Sequence, residues 1–404
     1  MISLNSDENN RERRLLMVFP LDMAAHYLRC LELCKKLRDQ FEISIAYSTK
    51  YERFIRNRGF QTFKVDNFNS EEVTAAASSF DFSWLNLTNI ERVLNSQVSV
   101  IEEHRPSMVL GDAAFTLKMA AEKTSVPYVS LLNGYMTKYC AITRKVSPSH
   151  PGYPYSKTMP KRVFERLTRI IERAMFEKIH APFRRVRKKL GLSKLNYFLE
   201  ELEGDFNLIC DLPSFFPQKK LPENYEFIGP LFYQGSEEEK EILDFFGNNN
   251  LNILVSMGST GNWKNLNLLL DPIFSDARIV ISGNPNNTTR GANILSKAFV
   301  NHSQIMDKVD ILICHGGNGT VYQALSYGVP LLFFSGNFEQ EWNIQRIIEI
   351  GLGARLEEGF DASEVRKIIN SWTGKRKGDL FCEVQQSIES FANRPVVLTH
   401  TPRD

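Results

Sequence analysis

Short apolar runs rich in β-branched and aromatic residues, each followed by a turn and then by helical spacing, recur along this chain and leave few folds open. LLMVFP (15–20) leads into HYLRCLELCKKLRDQ, where Leu28, Leu31, Leu33, Cys34 and Leu37 return at helical intervals. ISIAYS (43–48), SMVLG (107–111) and PYVSLL (127–132) are further strand-like runs, and AAFTLKMAAEKTS between the last two reads as a helix. The pattern restarts with NILVSM (252–257), ARIVIS (277–282), DILIC (310–314) and PLLFF (330–334), interleaved with GTVYQALSYG and NIQRIIEIG. Strands alternating with helices build a parallel sheet covered on both faces. Two such series predict two α/β units, which agrees with 404 residues at roughly 150 per domain. The join is expected in PENYEFIGPLFYQGSEEEKE (222–240), where prolines, glycines and an acidic run interrupt the periodicity, with the boundary near residue 235.

Composition narrows the function classes. A formal charge of +2 with 24% charged and 43% hydrophobic residues excludes a mainly disordered chain and gives no footprint of a nucleic-acid binder. Six scattered cysteines, without a CxxC, read as buried thiols rather than metal ligands, so no metal site is expected. The polar start MISLNSDENNRERR and the lack of 18 consecutive apolar residues point to a cytoplasmic chain without a spanning segment. One stretch breaks the neutral balance: KRVFERLTRIIERAMFEKIHAPFRRVRKKL (161–190) carries eleven Lys or Arg against three Glu. Val163, Leu167, Ile170, Ile171, Ala174 and Met175 fall on one helical face there. Such a helix suits either packing on its own domain, with Pro182 as an interruption, or peripheral contact with an anionic membrane.

The most specific motif is CHGGNGTVYQALSYGVPLLFFSGNFEQEWN (314–343). DILIC, the turn HGGNGT and the helix after it form a strand-to-helix junction at the carboxyl edge of a parallel sheet, where such folds bind ligands. Gly316, Gly317 and Gly319 let backbone amides approach closely, and the first N–H groups of the helix are open donors at its positive end. His315, Asn318 and Thr320 add donors, so the turn is an anion site. It is neither GxxxxGK[ST] nor GxGxxG.

The turn, with Gln323, Gly328-Val329-Pro330, Glu339-Gln340 and Asn343 in order behind it, resembles the nucleotide-sugar signature of GT-B glycosyltransferases of the UDP-glycosyltransferase-like family, including bacterial natural-product enzymes. VSMGSTG (255–261) is similar to a strand-end element of that family, with Ser259 and Thr260 reaching the diphosphate. FVNHSQIMDKVD (299–310), with Val300, is similar to the segment facing the nucleoside base. The resemblance implies an α/β GT-B fold, two Rossmann-like domains facing across a cleft: residues 1–235 for the acceptor, 236–385 for the nucleotide sugar, and a tail, 386–404, returning to the first domain. It implies a nucleotide-sugar site of Ser259, Thr260, Val300, His315, Gly317, Asn318, Gly319, Thr320, Gln323, Glu339 and Gln340. It further implies that His26 is the catalytic base and Asp112 its orienting carboxylate. The activity implied is inverting, metal-independent transfer from a UDP- or dTDP-sugar to a hydroxyl of a small lipophilic acceptor, with no cofactor and no nucleic-acid partner.

Three departures from the family pattern stand out. Family members often carry a Gly before this His and a Pro shortly after, whereas here Ala25 precedes His26 and Arg29 stands nearby. Gln323 replaces the usual ribose-binding Glu, and Glu339 the usual Asp, so sugar identity is open. Tyr135, Tyr139, Tyr153 and Tyr155 suit an aromatic acceptor pocket or a packed surface loop equally. His104, His150, His180 and His400 have no partner motif and read as surface residues. Other readings are a membrane-docked glycolipid-forming transferase, a nucleotide-sugar-binding protein without activity, and an epimerase on the same fold.

Overall fold

The computed structural model describes residues 14–398 except 79–80, 145, 147–149, 151, 248–249, 259–263, 284–290, 335–337, 358 and 377. Seven strands, β1 (Arg14–Pro20), β2 (Phe41–Ala46), β3 (Gln61–Phe63), β4 (Met108–Asp112), β5 (Tyr128–Leu132), β6 (Phe206–Ile209) and β7 (Tyr225–Phe227), form one sheet. Six more, β8 (Leu251–Ser256), β9 (Ala277–Ser282), β10 (Ile294–Lys297), β11 (Ile311–Cys314), β12 (Leu331–Phe333) and β13 (Gly353–Arg355), form a second. Their orders are β3-β2-β1-β4-β5-β6-β7 and β10-β9-β8-β11-β12-β13, with every named pair parallel. Two parallel sheets, each flanked by helices, make two Rossmann-like domains in the GT-B arrangement.

The apolar runs are explained by burial on both faces. Along β1, Leu16 and Val18 enter one core while Met17 and Phe19 enter the opposite one. Along β8, Leu254 faces one core and Ile253 and Val255 the other. A strand sandwiched between helices has no polar face, so alternation disappears. The strands absent from the sequence reading, β3, β6, β7, β10 and β13, are three or four residues long and lie toward the sheet edges. Short edge strands carry too few apolar residues to show a period.

Sheet topology positions the chemistry. Each sheet reverses its strand order once, between β1 and β4 and between β8 and β11. There the outgoing loops diverge and leave a crevice at the carboxyl ends. Pro20 pairs with Asp112 across the first switch, and Ser256 with Cys314 across the second. The basic segment forms two helices, Lys161–Ile179 and Ala181–Leu190, joined at His180. The helix Asp379–Ala392 packs on the second sheet's core through Phe381, Val384 and Ile388, whereas Val396 and Leu398 enter a core of the first. Gln40 fixes that crossing by donating to the Val396 carbonyl and accepting from Leu398 N–H.

Candidate active site

At the first switch, the helix Ala24–Leu37 starts with Met23 as an extended N-cap, which brings His26 over the end of β4. His26 Nδ1 lies 2.8 Å from Asp112 Oδ1. Arg29, one turn further along the same helix, forks onto the same carboxylate, with Nε 2.7 Å from Oδ2 and a second contact to Oδ1. Asp112 is 1% exposed. Burial alone would raise its pKa, but the Arg29 guanidinium, and then His26, outweigh it and hold the carboxyl below the usual carboxylate range. An ionised Asp112 only accepts, so Nδ1 of His26 carries a proton, and in the neutral ring Nε2 is left with its lone pair.

At the second switch, Gly317 is the N-cap of the helix Asn318–Ser326 and has no side chain to fill the cap, so the first amides stay open. Gly316 sits at φ +84, and a Cβ there would meet Ile344 Cγ1 at 2.5 Å. Only glycine fits. Asn343 Nδ2 holds the turn through the Gly316 carbonyl at 3.1 Å. His315 Nδ1 faces the Ser256 carbonyl at 3.2 Å, and because a carbonyl only accepts, the proton is on Nδ1 and Nε2 is bare. A Cβ on Gly258 or Gly317 would lie 2.9 Å from that Nε2, so both glycines keep the ring's edge clear. Burial lowers the His315 value to about 4, and the ring is neutral at neutral pH.

The remaining candidates fall as follows. Val300 is buried in the segment beside the second sheet, and Gln340 is buried near Glu339. Gln323 is buried and donates to the Tyr233 carbonyl at 2.9 Å. Thr320 and Gly319 lie in the first turn of the helix after His315. Ser259 and Thr260 lie outside the described residues, as does His400.

The two halves meet. A cavity of about 140 Å³ is lined by His26, Asp112 and Asn133 from the first domain and by Glu339 and Trp342 from the second. Its wall is apolar and aromatic, including Phe82, Trp84, Phe115, Tyr128, Phe176 and Phe198. Glu339 Oε1 accepts from Tyr135 Oη at 2.7 Å and from Asn133 Nδ2 at 3.1 Å. A second crossing joins Asn318 Nδ2 to Asp211 Oδ1 at 2.8 Å, while the other oxygen of Asp211 accepts from Gly134 N at 2.5 Å. Burial pushes Asp211 up to about 6.

Several residues escaped the sequence reading. Asp211 lies two residues beyond β6, a strand too short to show in the sequence. Asn133 and Trp342 carried no signal, because their roles exist only across the domain boundary. Of the four tyrosines, Tyr135 is buried against Glu339, Tyr139 packs on Tyr225, and Tyr155 is exposed. His180 corrects the surface reading: it is fully buried, with Nε2 2.7 Å from Glu201 Oε1, because the break at Pro182 turns it inward. Among the described residues, no group of three or more His, Cys, Asp or Glu could hold a metal ion.

Comparison with known proteins agrees with this fold. Residues 269–386 match the family described as Erythromycin biosynthesis protein CIII-like, C-terminal domain. A PGL/p-HBAD biosynthesis rhamnosyltransferase of Mycobacterium bovis is 24% identical over 352 residues, covering 86% of this chain and 77% of the relative. The glycotransferase of kitacinnamycin superposes with a TM-score of 0.68 at 14% identity, covering 94% of this chain and 96% of its own. The spinosyn rhamnosyltransferase complexed with thymidine diphosphate gives 0.63 at 18%, covering 93% and 96%.

Proposed function

We propose that this chain, a GT-B-fold glycosyltransferase related to the EryCIII-like and rhamnosyltransferase proteins of bacteria, transfers a sugar from a UDP- or dTDP-sugar to a hydroxyl of a small lipophilic acceptor. The observation that carries the reading is the shared cavity, in which the His26–Asp112 pair of one domain faces Glu339 of the other. Residues 1–235 are the acceptor domain in this reading, 236–385 the donor domain, and 386–404 the returning tail. The acceptor hydroxyl gives its proton to His26 Nε2 as its oxygen bonds to the anomeric carbon. The bond from that carbon to the diphosphate breaks, and configuration inverts. Charge arriving on the diphosphate is met by the amides of Gly317 to Thr320, oriented before the reaction, and by His315 once its Nε2 has taken up a proton. Ser259 and Thr260 belong to the same diphosphate site, Val300 and Gln323 to the nucleoside, and Glu339 and Gln340 to the sugar. The apolar, aromatic wall around Trp84 and Phe115 suits a lipophilic acceptor. Reaction at this site needs no metal, since the charge is met by backbone and side-chain donors. The cytoplasm remains its expected compartment.

The test begins with calorimetric titration of UDP, dTDP and GDP into the wild type and His315→Ala. Binding of UDP or dTDP that weakens in the variant supports the reading, and transfer from dTDP-rhamnose is then assayed first, because two relatives are named rhamnosyltransferases. Failure of all three nucleotides to bind a folded protein would falsify it.

A second element concerns the membrane. Among the described residues no helix is long and apolar enough to cross one. The helix Lys161–Ile179, however, buries Phe176 and Ile179 and turns Val163 (53% exposed), Leu167 (41%), Ile170 (59%) and Ile171 (55%) outward. Arg162, Arg166, Arg169 and Arg173 fall on the adjoining exposed face. An apolar stripe beside a row of arginines suits the interface of an anionic bilayer, each cation adding about 1 kcal/mol near the surface. The inner face of the same helix supplies Phe176 to the acceptor cavity. Cosedimentation with anionic vesicles, lost at high salt and in Ile170→Asp, is the expected result; wild-type protein left in the supernatant would end this element.

A further inference from the structure

Between the candidate base and the candidate sugar-reading carboxylate runs an unbroken chain of hydrogen bonds, and its middle member is Arg29. From His26 the chain passes to Asp112, then to Arg29, whose second terminal nitrogen donates to Asn133 Oδ1. Asn133 Nδ2 donates onward to Glu339 and to Tyr135 Oη, which itself donates to Glu339. The direction of every bond is fixed. Arg29 only donates, so Asn133 presents its oxygen inward and its amide nitrogen toward Glu339. Arg29, Asp112, Asn133 and Tyr135 are all buried.

We propose that Arg29 is a positioning residue: it keeps the buried Asp112 ionised and immobile, so that His26 presents a bare Nε2, and through Asn133 it ties that state to Glu339 across the cleft. The proposal rests on the transferase reading for the roles of His26 and Glu339, but its structural content does not. Two features carry it. The fork of Arg29 occupies both oxygens of Asp112, which a lysine or any neutral residue fails to do. Other groups facing Asp112 are Cys30 from the same helix, Tyr128 on β5 and Cys210 after β6, and burial keeps all three protonated. Arg29 is therefore the permanent cation at the carboxylate, and without it a fully buried Asp112 would keep only His26 as a strong partner. A buried carboxylate so stripped takes up a proton. A protonated Asp112 no longer requires a donor at Nδ1 of His26, and the base loses its tautomer.

The experiment is nitrogen NMR of the histidine side chains in the full-length protein above the ordinary histidine titration range, with His26→Gln identifying the His26 signals. Wild type is expected to show the Nδ1–H tautomer, and Arg29→Met a mixture. Transfer by Arg29→Met should fall at least about tenfold in kcat, with donor KM within about threefold, because a positioning effect acts on proton transfer rather than donor binding. Arg29→Lys is expected to restore part of the tautomer, and it carries the test if Arg29→Met does not fold. Glu339→Gln should perturb the His26 signals. An unchanged Nδ1–H tautomer in folded Arg29→Met would overturn the proposal. Silence of His26 toward Glu339→Gln would overturn its interdomain half. Because the NMR readout requires no turnover, an inactive protein with the expected tautomer change would count against the transferase reading alone.

Discussion

The two switch points of this molecule are alike in topology and opposite in chemistry. At β1/β4 a helix delivers full charges, Arg29 against Asp112, with His26 held beside them in an aromatic pocket. At β8/β11 the proposed anion site consists of backbone amides, glycines and a neutral imidazole. In the proposed transfer a proton is moved on the first side, and an ionised partner that fixes one tautomer makes that possible. On the second side charge must be received, and dipoles accept an anion without first losing an ion pair. In the proposed function the same architecture thus separates proton handling from charge handling by what stands at each strand end.

Removing the base should break the comparison most sharply. His26→Ala is expected to lower kcat by about 10³-fold, the scale of general-base catalysis, while nucleotide affinity stays within about twofold. Loss of nucleotide binding together with turnover would mean that the two sides are not separate.

Asp211, which joins the halves through Asn318, gives the next effect. Its folded value of about 6 lies above the ordinary unfolded value near 3.9. Between those pH values the native state holds a proton that the unfolded chain lacks. Its stabilising contribution is complete below about pH 4 and is lost as pH rises through 6. Two units correspond to about 3 kcal/mol. Denaturation of wild type and Asp211→Asn at pH 4, 5, 6 and 7 should show the variant gaining steadily relative to wild type and levelling above 6; parallel profiles would reject the shift.

Gly316→Ala follows, at about 2 kcal/mol of stability, since its left-handed backbone and the Cβ contact with Ile344 allow no relief without moving the turn. Thermal melting checks it. Smallest is His315→Ala, expected to weaken nucleotide diphosphate binding by about tenfold, one hydrogen bond to a charged group. In wild type, binding near pH 5 should take up part of a proton, because Nε2 must acquire one to donate to a phosphate. Calorimetry in buffers of different ionisation enthalpy reads that proton directly.

Much of this was legible in the chain itself. Runs such as ARIVIS coincide with β9 because a strand buried on both faces needs five or six consecutive apolar residues. HGGNGT announced a tight strand-to-helix turn because glycine at a positive φ and an uncapped helix start are local requirements, written in consecutive residues. His26 and Asp112, 86 positions apart, were linked only by resemblance; their 2.8 Å contact follows from the adjacency of β1 and β4.

The amphipathic helix 161–179 shows where local patterning ends. Its longest apolar stripe, Val163, Leu167, Ile170 and Ile171, points to solvent, and the face carrying Phe176 and Ile179 is buried instead. Period alone says that a helix has an apolar side; the neighbours available decide which side is used. Arg29 makes the same point for charge. By itself the sequence determined the longer strands, the helices between them and the glycine-rich turn, since those depend on residues within one turn or run. Only the tertiary structure decided that Arg29, Asn133 and Glu339 form one chain with the base, because that depends on which strands adjoin and how two domains close, contacts that no local pattern encodes.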